Sequence, residues 1–213
     1  PKSFTTIAEA AEKEFVTITN PGFEESGQGL IPGWLRLPEP TAADTSVEVS
    51  SEQAYEGNNS LKIVDNSTKA SVGATSEFIE IEPSATYILR AKAYVSKASV
   101  RLYLKFFDSA KKEIANNGSY TVLANTLNQW SDAVIEGAAP ANAVYAQIWF
   151  YMGAGGVSTA YVDDISLEKV LLAEGKVKVE FGSSEDLGEA VQVPLTQGAA
   201  YTKDSKGTNL QFF

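Results

Sequence analysis

The chain has 213 residues, 44% of them hydrophobic, and its 17 basic and 27 acidic side chains leave a net charge of −10. It contains neither cysteine nor histidine, which excludes disulfides, thiol nucleophiles, zinc–thiolate sites and the commonest general base, and leaves hard, oxygen-ligated ions such as calcium open. An acidic surface gains nothing from the counterions around nucleic acid or an anionic bilayer, so neither is expected as a partner, and no apolar run is long enough to span a membrane.

Residues 1–14 pass from Ser and Thr to Ala and Glu, and read as a short helix or linker. From Phe15 the pattern changes to short runs rich in Val, Ile, Thr and Tyr, bounded by Gly, Pro, Asn, Asp and Ser. Strands are predicted at 15–19, 46–50, 60–65, 77–81, 86–95, 99–107, 119–124, 133–136, 143–152 and 159–168. Many short strands without interleaved helices point to an all-β fold: an antiparallel two-sheet β-sandwich of the jelly-roll kind over residues 15–170. Past Leu167 the character shifts again. Residues 171–182 read as a linker strand, and the chain stops on Phe212-Phe213 as if within a strand. Residues 171–213 are therefore expected to be a linker and the start of a following, truncated domain; the alternative is a last strand that packs on the sandwich.

Three segments carry a resemblance. The first is Asn20-Pro21-Gly22-Phe23-Glu24 with Ile31-Pro32-Gly33-Trp34, the second Tyr55-Glu56-Gly57-Asn58-Asn59-Ser60-Leu61-Lys62-Ile63, and the third Trp130, Pro140 and Ala143 followed by Tyr161-Val162-Asp163-Asp164-Ile165-Ser166-Leu167. In this order, across residues 15–170, they resemble the calcium-binding jelly-roll carbohydrate-binding modules of families four, nine, sixteen and twenty-two. The tail AVQVPLTQGAAYTKDSKGTNLQFF is similar to segments that precede catalytic domains in multidomain polysaccharide lyases of the heparinase and alginate-lyase type. The resemblance implies a secreted, monomeric, non-catalytic module, covalently linked to a polysaccharide lyase or glycoside hydrolase, with polysaccharide as its partner. It also implies a structural calcium ion, with Glu24, the Gly22 carbonyl, carbonyls of the turn from Glu56 to Ser60, and either Asp163 or Asp164 as ligands. Ile165 and Leu167 alternate with Asp163, which favours Asp163; Asp164 stays open.

The same carboxylates make a poor glycosidase. Such an enzyme sets two of them facing each other across a bond, whereas Glu24-Glu25 and Asp163-Asp164 are chain neighbours that point to opposite faces when extended.

Alternation within three strands defines the candidate ligand site. In 143–152, Val144, Ala146, Ile148 and Phe150 read as core, opposite Tyr145, Gln147, Trp149 and Tyr151. In 101–107, Leu102, Leu104 and Phe106 read as core, opposite Arg101, Tyr103, Lys105 and Phe107. In 87–94, Arg90, Lys92 and Tyr94 face away from Tyr87, Leu89, Ala91 and Ala93. Modules of the kind resembled bind glycans on a sheet face, where aromatic rings stack on sugars and polar groups bond hydroxyls. Arginine adds a bidentate grip on carboxylate. Arg90, Lys92, Tyr94, Arg101, Tyr103, Lys105, Tyr145, Gln147, Trp149 and Tyr151 are therefore expected to line one face that receives an acidic polysaccharide such as alginate or another uronate glycan. Trp34 and Trp130 read as packing residues. The competing reading is a structural or adhesive sandwich whose aromatic face packs on a neighbouring domain.

Overall fold

The computed structural model describes residues 12–171, apart from 28–30, 39–40, 98–99, 115–118 and 124–126. Lys13–Val170 form one compact unit; Pro1–Glu12 with Leu171–Phe213 are grouped as a second. The helix or linker expected over 1–14 falls outside the described residues except for its last three, two of which begin a strand. The linker and truncated domain expected over 171–213 fall outside them beyond Leu171.

The described residues form twelve strands in order: β1 (Lys13–Val16), β2 (Trp34–Leu37), β3 (Thr45–Ser50), β4 (Ser60–Asp65), β5 (Val72–Ser76), β6 (Ile79–Glu80), β7 (Thr86–Val95), β8 (Val100–Phe107), β9 (Ser119–Leu123), β10 (Ser131–Ala138), β11 (Tyr145–Met152) and β12 (Ser158–Val170). No helix occurs among the described residues. All named pairs are antiparallel, and they build two sheets. The first runs β10-β7-β12-β4-β3 with β1 beside β12; the second runs β2-β5-β11-β8-β9 with β6 beside β11. This is the two-sheet jelly roll.

Strict alternation explains why these segments form half-buried strands. Tyr87, Leu89, Ala91, Ala93 and Val95 turn inward from β7, and Leu102, Leu104 and Phe106 from β8. Ile148 and Phe150 of β11 join Leu61, Ile63, Leu89, Leu102, Leu104 and Leu167 in one core between the sheets. Truncating a fully buried leucine in such a core costs about 2–5 kcal/mol, so this packing fixes the register of both sheets.

Two strands escape the sequence pattern. β5 is Val-Gly-Ala-Thr-Ser, all five buried, so it shows no apolar–polar alternation, and its Gly and Ala weaken the strand signal of Val and Thr. β2 is a four-residue piece behind the Pro32-Gly33 turn. The strand predicted at 77–81 is only the two-residue β6.

Candidate functional site

The ten residues expected on one face lie on two. β7 belongs to the first sheet, whereas β8 and β11 are neighbours in the second. Arg90, Lys92 and Tyr94 therefore sit on the opposite side of the sandwich from Arg101, Tyr103, Lys105, Tyr145, Gln147, Trp149 and Tyr151. Alternation says which residues leave the core; it does not say which sheet carries them.

On the second sheet, register builds a row across five strands. Leu35 of β2 pairs with Thr75 of β5, and Thr75 with Trp149 of β11. Trp149 pairs with Tyr103 of β8, and Tyr103 with Tyr120 of β9. A second row lies beside it: Leu37, Gly73, Tyr151, Arg101 and Val122. Gly73 admits no side chain, because a Cβ there would stand 2.2 Å from the Phe150 carbonyl oxygen.

The ring of Trp149 is fixed in plane and charged from above. Its Nε1 donates to Gln147 Oε1 at 3.1 Å, and Gln147 Nε2 donates to the Ser76 carbonyl at 3.0 Å. Gln147 is only 5% exposed, so it holds the indole and offers nothing to a ligand. The Lys105 ammonium lies 3.9 Å from the Trp149 centroid and 5.7 Å from that of Tyr103. Glu113 pairs with it at 3.1 Å. Tyr103 and Tyr120 stack with centroids 5.3 Å apart and planes 31° from parallel. Arg101 donates to Tyr103 Oη at 3.4 Å and lies 5.7 Å from the Tyr120 centroid. These contacts with Tyr103 raise the Arg101 pKa further above its ordinary value. Tyr145 stands apart, packed edge-on to Phe78 with Lys111 nearby.

Sequence reasoning missed Tyr120, Leu35, Thr75 and Glu113. Tyr120 was legible from the alternation of Ser-Tyr-Thr-Val-Leu; the others needed the pairing of β2, β5 and the segment beside β8.

The first sheet's outer face is self-compensated. Lys92 pairs with Asp132 at 2.7 Å and Arg90 with Glu168 at 3.6 Å. Lys62 pairs with Glu52 at 2.6 Å, and Tyr161 donates to the same carboxylate at 2.6 Å. Burial, with that hydrogen bond to Glu52, pushes the Tyr161 phenol up to about 12. Rings of Tyr55, Trp130, Tyr94 and Tyr161 meet in sequence, edge to face.

Where β12 meets the turn before β4, two of the expected metal ligands, Glu24 and Asp163, bond backbone amides of that turn. Glu24 Oε1 accepts the Asn58 and Asn59 amides, both at 2.9 Å, and these bonds hold its pKa below the usual carboxylate value. Asp163 Oδ2 accepts the Tyr55 and Glu56 amides at 2.8 and 3.1 Å, and its Oδ1 accepts the Asp164 amide at 2.8 Å. Asp163 is 1% exposed, and burial pushes its pKa up despite those bonds. A Cβ on Gly22 would lie 3.7 Å from Asp163 Oδ1, and one on Gly57 would collide with the Glu24 carboxylate. Ser60 spends its hydroxyl on the Gln53 carbonyl. Asp164 is exposed at a left-handed φ of 46°. Among the described residues no ion pair neutralises Glu24 or Asp163. No group of three acidic side chains gathers either, and the carboxylates of Glu24 and Asp163 offer only oxygen. Such all-oxygen donors fit calcium.

A family profile described as a carbohydrate binding domain matches residues 17–137. Among curated proteins, the chain is 25% identical over 169 residues to the tRNA nuclease WapA of Bacillus subtilis (strain 168), covering 75% of this chain and 7% of that protein. It thus spans less than a tenth of that relative's length. Among solved structures it is similar to the enzymatically active domain of tailspike protein 4 of bacteriophage CBA120, with a TM-score of 0.60 and 14% identity over 73% of this chain and 21% of that one. It is also similar to a family 16 carbohydrate-binding module, with a TM-score of 0.50 and 18% identity over 70% of this chain and 97% of that one. At these identities the structures share the fold.

Proposed function

The chain belongs to the carbohydrate binding domain family, and we propose that it is a secreted, non-catalytic module that holds a polysaccharide-degrading enzyme on an acidic polysaccharide, gripped by the outer face of its second sheet. The observation that carries this reading is the row Trp149–Tyr103–Tyr120, crossed by Lys105 and Arg101. Aromatic rings give a sugar chain apolar surface to lie against, and the cations give an acid group its counter-charge. A uronate glycan supplies both partners. The tethered enzyme, a lyase or a glycoside hydrolase, supplies the catalysis, and the module works as a monomer.

On the same reading a calcium ion is held by Glu24 and Asp163 with carbonyls of the 55–60 turn and of Gly22. When bound, the ion neutralises two carboxylates. The residues themselves tie the 20–24 segment, the turn and β12 together.

Calorimetric titration with uronate and neutral oligosaccharides at two ionic strengths tests the site. The uronate chain is expected to bind more tightly, to weaken with salt, and to lose roughly ten-fold in affinity (about 1.4 kcal/mol) on Trp149→Ala. Preference for the neutral chain, or binding indifferent to Trp149→Ala and Arg101→Ala, overturns the assignment.

A further inference from the structure

We propose that Lys105 is the specificity-determining residue of this site, and that with Arg101 it reads acid groups two sugars apart on a glycan lying across the strands. This rests on the reading above and fixes the orientation and shortest length of its ligand.

The row sets the orientation. Trp149, Tyr103 and Tyr120 sit in register on β11, β8 and β9. Neighbouring strands are spaced about 4.8 Å apart, close to the length of one pyranose in an extended chain. A glycan running across the strands therefore sets consecutive sugars at consecutive positions of the row.

The cations set the charge. Lys105 occupies the space over Trp149, 3.9 Å from its centroid, where a sugar would otherwise stack. Glu113 holds it there, with Oε1 at 3.1 Å and Oε2 at 3.2 Å from Nζ. A neutral sugar that stacks on Trp149 has to expel the ammonium, losing both the cation–π contact and the ion pair. A sugar with a carboxylate keeps the ammonium where it is and takes the place of Glu113, whose own carboxylate marks the position. At the other end of the row, Arg101 leans towards Tyr120 and has no acidic partner among the described residues. Lys105 thus stands over the first ring and Arg101 beside the third, flanking Tyr103 from the two directions along β8 and separated across the row by about two strand spacings, or ~10 Å. Acid groups on sugars n and n+2 of one chain meet both. The shortest ligand that reaches both cations is a trisaccharide.

The test is calorimetry on the full chain with 1,4-linked uronides of one to four units and neutral oligosaccharides of equal length. Affinity for uronides should step up ten-fold or more from dimer to trimer, and Arg101→Gln should remove the step. Lys105→Ala should weaken uronides and strengthen neutral chains, because it uncovers Trp149. Glu113→Gln should tighten uronides several-fold by removing an internal competitor. Arg101 and Glu113 are exposed and Lys105 is half-buried, and melting curves confirm that each variant folds. If Lys105→Ala leaves the acidic-to-neutral preference unchanged, or dimer and trimer bind alike, the inference falls while a Trp149-dependent glycan site stands. If the unaltered chain binds no glycan, both readings fall together.

Discussion

Gln147 shows how a residue's role depends on what already occupies its hydrogen-bonding groups. The sequence places it beside Trp149 as a sugar contact, but both ends of its amide are spent on Ser76 and on the Trp149 indole. It is a positioning residue. Gln147→Ala strips the Ser76 carbonyl of a buried donor, which costs about 1–3 kcal/mol in denaturant unfolding. Glycan affinity should fall with it, because Trp149 loses the bond that fixes its plane; indole fluorescence in the folded variant reports that change directly. Tyr87 is the core counterpart. It is 1% exposed, and its hydroxyl accepts the Glu82 amide at 2.7 Å. Burial pushes its pKa above the ordinary phenol value. The folded state therefore favours the protonated phenol. That stability is fully present below pH 10 and is lost as pH rises through the raised folded value. The phenolate absorbance difference between the wild type and Tyr87→Phe should appear above the ordinary tyrosine range. Its appearance near pH 10 would show the ring to be solvated.

At the scale of the element, β12 turns on a bulge. Its register with β7 shifts between Asp163 and Ser166, inserting one extra residue. Ala160 and Val162 face the core before the shift, Ile165 and Leu167 after it. Alternation alone would set Asp163 with Ile165 and Leu167; the bulge breaks that parity, and the Tyr55–Glu56 amides are what cover Asp163. Asp163 is thus buried for a different reason from the alternation that the sequence offered. Asp164 takes the strained position and points to solvent. If calcium sits here, a chelator should lower the melting temperature of the wild type and of Asp164→Asn alike. Asp163→Asn should already melt low and respond little to chelator. Equal responses in all three proteins would place any ion elsewhere.

For the whole molecule, the decisive event is the divergence of β7 and β8. They are consecutive in the chain and carry similar outward patterns, yet they end in opposite sheets. The two outer faces are not electrostatic equals. On the first sheet Arg90, Lys92 and Lys62 are each matched by a carboxylate. On the second, Arg101 is unmatched among the described residues. With a net charge of −10, the molecule repels a polyanion at long range, so only a local excess of positive charge can hold one. The paired substitution Arg90→Ala/Lys92→Ala should leave uronate affinity within about two-fold, whereas Arg101→Ala should reduce it clearly. Equal losses would mean that ligand reaches both faces.

The sequence by itself determined the fold class and the inward residues of β7, β8 and β11, which are written in local periodicity; the conjunction of Glu24, the 55–60 turn and Asp163 came with the family resemblance that its short motifs carry. Tertiary structure alone decided which strands are neighbours. It split the ten expected ligand residues three against seven, drew in Tyr120 and Glu113, and inserted β5, whose small, wholly buried residues carry no alternation to detect. Strand pairing depends on long-range contacts and on how the two sheets divide the chain, and a period of two along one strand contains no information about its partner.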